Sequence, residues 1–191
     1  GDIKKFIDEI IKNKICTEII GLTGGEPFMN PSIIKILKYI LNLNFKVLVL
    51  SNGMRPIELK FSNLLSLPNL KNLKIRISMD HYQKNYHEKI RGKNTWERLI
   101  KNIIWLDNKG FKINIASKIN AGQDEKNTRQ EFQKLFKKIN VKLNANDKEE
   151  LVLFPVMNIK STAKEITQEC WSILDKNPDS IMCSNSRMVV K

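Results

Sequence analysis

Leu22-Thr23-Gly24-Gly25-Glu26-Pro27-Phe28 closes a β-branched run, Thr17–Thr23, with two glycines and a carboxylate just ahead of a helical pattern. Glycine reaches backbone dihedrals closed to other residues and lets a ligand approach the main chain closely. Pro27 restricts Glu26 to extended conformations, which gives the carboxylate a defined direction. Asn30-Pro31 then reads as an N-cap with proline at the first helical position, opening a helix over Pro31–Leu43. Strand, polar loop, helix is the order in which α/β folds build binding sites.

Outward from this junction, β-rich runs alternate with helical patterns along most of the chain. The predicted strands are Thr17–Thr23, Lys46–Ser51, Leu73–Met79, Phe111–Lys118 and Leu151–Pro155. An opening helix from Asp2 to about Lys14 is followed by helices at Pro31–Leu43, Ile57–Leu67, Thr95–Lys109 and Asp124–Ile139, with Gly110 as the stop of Thr95–Lys109. Repeated βα units imply parallel strands joined by right-handed crossovers, hence an α/β barrel or an open doubly wound sheet. Periodicity alone does not separate these two. The chain from residue 159 onward, with Gln168-Glu169-Cys170-Trp171, is less regular.

The chain has 191 residues, 41% of them hydrophobic, enough for one domain with a real core. No apolar run approaches the roughly 20 residues that cross a bilayer, and the first residues lack a signal-peptide core, so a cytoplasmic protein without a membrane partner is expected. Three cysteines, Cys16, Cys170 and Cys183, form no close pair and read as reduced thiols. The net charge of +13 raises the question of nucleic acid. However, only six of the 33 basic residues are arginine and the lysines spread over nearly every predicted helix, so a solvated basic surface is the preferred reading.

With parallel strands, the residues just past each strand share one face. They are Gly24-Gly25-Glu26-Pro27, Ser51-Asn52-Gly53, Ser78-Met79-Asp80-His81, Ser117-Lys118-Ile119-Asn120 and Phe154-Pro155. Glu26 and Asp80 can accept from an ammonium or from ribose hydroxyls, and Ser78 and Asn52 can donate to a carboxylate. Arg91 is a bidentate donor suited to a carboxylate. Together they suit a zwitterion that carries a sugar. The plainer alternatives are a tight βα turn at Gly24-Gly25, structural pairing of Asp80 and Glu26 with Lys74 or Arg76, and packing roles for Trp96, Trp105 and Phe111. A metal site built from His81, His87, Asp80 and Glu88 lacks further firm ligands, and two histidines are more often ordinary polar residues.

In this order and spacing, Gly24-Gly25-Glu26-Pro27, Ser51-Asn52-Gly53, Ser78-Met79-Asp80, His87, Ile90-Arg91-Gly92 and Thr95-Trp96-Glu97-Arg98 resemble the core of radical S-adenosylmethionine (SAM) enzymes. The resemblance covers residues 1–158 and is closest to the subgroup with C-terminal auxiliary-cluster, SPASM-like extensions. It implies a partial (β/α)6 barrel missing its first strand, with 159–191 as the start of an extension. It also implies SAM bound across the strand ends and chelated to a 4Fe-4S cluster, an oxidoreductase that makes a 5′-deoxyadenosyl radical for hydrogen abstraction. Carried over by motif, Gly24, Gly25, Glu26 and Pro27 hold the methionine amino group through Glu26 or backbone carbonyls. Ser78 and Asp80 lie near ribose and carboxylate, Arg91 is the carboxylate partner, and Asn52 lines the pocket. Backbone near Ile119 and around Leu153–Pro155 is expected beside the adenine. A small-molecule or peptide substrate and an electron donor of flavodoxin or ferredoxin type follow from the same resemblance.

The family's CxxxCxxC cluster loop is absent, and Cys16 stands alone eight residues before Gly24. The expectation is therefore a fragment, inactive alone, whose cluster ligands precede Gly1, with Cys183 a candidate ligand of an auxiliary cluster. The rival expectation is a non-catalytic α/β module that keeps the pocket and binds a nucleotide or a partner.

Overall fold

The structure is a computed structural model that describes residues 2–119, 123–156, 177 and 186–189. The chain divides into two compact units, Gly1–Val156 and Met157–Lys191, and the described part of the first carries the elements below. Cys170, Cys183 and most of the expected extension over 159–191 lie outside the described residues.

Five parallel strands form one sheet: β1 (Ile19–Leu22), β2 (Lys46–Ser51), β3 (Leu73–Ser78), β4 (Lys112–Ile119) and β5 (Leu151–Pro155). Their spatial order is β1-β2-β3-β4-β5. A doubly wound sheet reverses its strand order at a switch point, whereas a barrel adds each strand on the same side of the last. The monotonic order selects the curled half-barrel.

Among the described residues seven α-helices accompany the sheet: α1 (Asp2–Lys12), α2 (Ile33–Asn42), α3 (Arg55–Glu58), α4 (Phe61–Leu65), α5 (Lys84–Arg91), α6 (Trp96–Asn108) and α7 (Glu125–Lys138). Alternation along the strands explains the layering, since successive side chains point to opposite faces. Val47 and Val49 of β2, Leu73, Ile75 and Ile77 of β3, and Ile113 and Ile115 of β4 share one face and are buried in the core with Leu37, Ile40, Leu99, Ile103 and Phe132. The opposite face carries Leu50, Arg76, Ser78, Ala116 and Lys118, and is the concave, polar side.

Three local expectations change. The helix expected at Pro31 begins at Ile33, because Glu26 caps a 3-10 turn over Pro27–Met29. Asn30 closes that turn through its own N–H to the Pro27 carbonyl, and its Oδ1 accepts from Ser32 N at 2.9 Å. The helix expected over Ile57–Leu67 is two short segments, α3 and α4, with a break at Leu59-Lys60. Helix α5 was not expected, since its one buried residue is His87 and it presents no apolar stripe.

Candidate functional site

The C-terminal ends of the strands carry two clusters. The first is built around Glu26, whose backbone is extended (φ −125°, ψ 110°) as a residue before proline must be. Its carboxylate accepts from Phe28 N at 3.1 Å, Ser51 Oγ at 3.0 Å and Asn52 N at 2.7 Å. Glu26 thus joins the end of β1 to the end of β2, with three of roughly four lone-pair directions taken. Asn52 is occupied as well, its Oδ1 accepting from Met54 N at 2.9 Å. Gly53 sits at φ +69°, where an added Cβ would fall 2.7 Å from Leu99 and 2.9 Å from Ile77. Asn102, fully buried on α6, donates to the Gly53 carbonyl at 2.8 Å and fixes this turn on the helix layer.

Gly24 and Gly25 precede this node at φ +88° and +28°, conformations that favour glycine. A Cβ on either would meet nothing within 4 Å. The space above the turn is open, and the main chain is accessible to a ligand. Pro27 is buried in the 3-10 turn and is a packing residue.

The second cluster lies beyond β3. Asp80 is buried, with 4% of its side chain exposed, and its Oδ2 accepts from Arg91 Nε of α5. Lys118 Nζ, from β4, lies 3.7 Å from Asp80 Oδ1. Neither expected structural partner pairs with Asp80: Lys74 pairs with Glu149 at 3.4 Å, and the Nε of Arg76 has no hydrogen-bond partner among the described residues. A cleft of about 260 Å³ opens here, lined by Leu50, Arg76, Ser78, Asp80, Arg91, Ala116, Ser117, Lys118 and Phe154. Of the site residues expected from sequence, Ser78, Asp80 and Arg91 meet in this cleft. Gly24, Gly25, Glu26, Pro27 and Asn52 form the neighbouring strand-end cluster and are not among the cleft's lining.

Behind Arg91, one turn earlier on α5, His87 is 1% exposed with its ring edge-to-face on Trp96 at 5.6 Å. Neither ring nitrogen has a hydrogen-bond partner among the described residues. Burial pulls its pKa below 6.5, against the opposing pull of Asp80, so the buried imidazole is held neutral. His81 instead lies between Tyr82 and Tyr86, with ring centroids at 4.2 and 4.6 Å, and its Nδ1 accepts from Gln83 N at 2.9 Å. Among the described residues no three His, Cys, Asp or Glu side chains could hold a metal ion, and Cys16 is exposed. The described residues therefore fit SAM, with an open glycine turn, a carboxylate and an arginine at the strand ends, but contain no ligand set for an iron–sulfur cluster. No helix among them is long and apolar enough to cross a membrane.

Arg76 and Lys118 were not expected as site residues. The signal for both was present in the strand register: each sits on the same side of its strand as Ser78 or Ala116.

The family model of the Radical SAM superfamily matches residues 1–150. A search of curated proteins found no match. Among solved structures, Streptococcus suis SuiB is similar with a TM-score of 0.64 and 14% identity, covering 91% of this chain and 38% of that one. SuiB bound to S-adenosylmethionine gives 0.57 and 14%, covering 82% and 35%. TYW1 with a lysine-pyruvate adduct bound gives 0.55 and 17%, covering 92% and 58%. At these identities the likeness shows the fold, and the chain spans less than two thirds of each of these relatives. The family-model match covers most of the chain, which belongs to the Radical SAM superfamily.

Proposed function

We propose that this radical SAM chain binds S-adenosylmethionine across the C-terminal ends of β1 to β4. The backbone of Gly24 and Gly25 receives the methionine amino group, and Ser78, Asp80 and Arg91 hold the ribose and carboxylate. Glu26 acts chiefly by fixing the turn, since its carboxylate is already committed to three protein donors. The carrying observation is the convergence of Ser78, Asp80 and Arg91, from a strand end and a separate helix, in one cleft. Bound beside a reduced 4Fe-4S cluster, SAM supplies the hydrogen-abstracting chemistry implied by the family. The residues named here orient it and limit access of water. A small-molecule or peptide substrate and a flavodoxin- or ferredoxin-type electron donor complete the reading.

Calorimetric titration with SAM tests the site. Asp80→Ala is expected to weaken SAM binding by about tenfold or more, the loss of a charge-assisted hydrogen bond. Unchanged affinity in both Asp80→Ala and Ser78→Ala would remove the assignment. The second reading is a non-catalytic α/β module that keeps the pocket and binds a nucleotide or a partner, favoured by the lack of any group of three metal-ligating side chains among the described residues. The in-frame coding sequence around this chain separates the two: a CxxxCxxC triad supports the enzyme, and a start codon near Gly1 without one supports the binder.

A further inference from the structure

Arg76 lies on the concave face of β3, two residues before Ser78 and so about 7 Å deeper along the strand. Its register neighbours are Leu50 on β2 and Asn114 on β4. Leu50 has no side-chain acceptor, and the Asn114 amide donates to the Glu149 carbonyl. The Nε of Arg76 is shielded from solvent and has no hydrogen-bond partner among the described residues. Burial lowers the arginine pKa while Glu149 opposes the shift, and a guanidinium stays protonated in either case. Glu149 is itself exposed and paired with Lys74.

A half-buried cation with an unpaired donor is costly, and an anion bound by the fork of the guanidinium relieves that cost. The rest of the cleft cannot supply the anion. Its single carboxylate, Asp80, already serves Arg91 and Lys118. Besides the neutral hydroxyls of Ser78 and Ser117, the remaining wall is the apolar Leu50, Ala116 and Phe154.

We infer that Arg76 anchors a carboxylate of the substrate, borne on a short apolar stem that lies along Leu50, Ala116 and Phe154. The inference rests on the SAM reading in one respect: the upper cleft, at Ser78 and Asp80, is assigned to SAM and leaves Arg76 below for a second molecule.

Nitrogen-15 NMR of arginine Nε–Hε groups reads the site directly, because the chain has only six arginines and Arg76→Lys identifies the Arg76 signal by deleting it. The probe is propionate, titrated against chloride at equal ionic strength. The Arg76 signal is expected to move along a saturable curve with propionate and not with chloride, and to do so also with SAM present. Arg76→Gln is expected to bind SAM with wild-type affinity. Absence of a saturable propionate shift overturns the inference. So does a shift that SAM abolishes together with weakened SAM binding in Arg76→Gln, because the carboxylate held by Arg76 would then be that of SAM. If propionate binds but SAM does not bind the wild-type chain, the SAM reading fails and the carboxylate site stands.

Discussion

The turn around Glu26 and the cleft around Asp80 lie at strand ends of one sheet, and each centres on a single carboxylate. Glu26 is surrounded by neutral donors of the protein itself: one bond caps its own 3-10 turn at Phe28, and the other two tie the end of β1 to Ser51 and Asn52 at the end of β2. Asp80 is surrounded by cations, Arg91 and Lys118, with Arg76 unpartnered at Nε in the same cleft. The first cluster satisfies its own charge and therefore holds shape. The second gathers three cations around one buried carboxylate, an excess of positive charge that favours a bound anion.

The comparison is broken most severely by removing its structural half. Glu26→Ala leaves Phe28 N, Ser51 Oγ and Asn52 N without their acceptor and is expected to cost about 3 kcal/mol, read from urea denaturation. A loss of stability no greater than that of an ordinary surface substitution, together with weakened SAM binding, would mean that Glu26 belongs to the ligand. Asp80→Asn is expected to cost less, about 1 to 2 kcal/mol, because Arg91 is partly solvated and relaxes into water. Added salt should recover part of that loss by screening the three remaining cations, whereas salt should not rescue Glu26→Ala. Equal salt response in the two variants would erase the distinction drawn between the clusters.

The smallest effect is a pH dependence behind the cleft. The unfolded chain protonates His87 near 6.5, and the folded chain does so only at lower pH because of burial. The folded state then binds fewer protons below 6.5, so the contribution of His87 is fully present above that value and is lost as pH falls toward the folded pKa. His81 is shifted the same way by burial and adds to the slope. His87→Phe should flatten the decline in stability between about pH 7 and pH 5.5 relative to wild type. Parallel curves for the two proteins would show that His87 is not held neutral by its surroundings.

Much of the fold could be read locally. Strand alternation depends on neighbouring residues alone, so Lys46–Ser51 forms as expected and Leu73–Ser78 ends one residue short of the expected Met79. Gly110, at φ +76°, ends α6 as its position predicted. The misses share a different cause. Helix α5 has no apolar stripe because its core contact is His87, so periodicity is blind to it, although it carries Arg91. The helix after Pro31 starts late because Glu26, held by β2, imposes a 3-10 turn first. Thr17 and Glu18 do not extend β1 because the paired register begins at Ile19 opposite Lys46.

The sequence by itself determined the alternation of strands and helices, the family, and the set of polar groups that reach the strand ends. Each depends on order and spacing along the chain. Only the tertiary structure decided that the sheet runs β1 to β5 without reversal, that Glu26 is spent on Ser51 and Asn52, that Asp80 takes Arg91 and Lys118, and that Arg76 is left with an unpaired donor. Those outcomes depend on which strand ends adjoin and on which charges burial brings within a few ångströms. Charge pairing weakens with distance and with solvent, so it is fixed by packing and not by position in the chain.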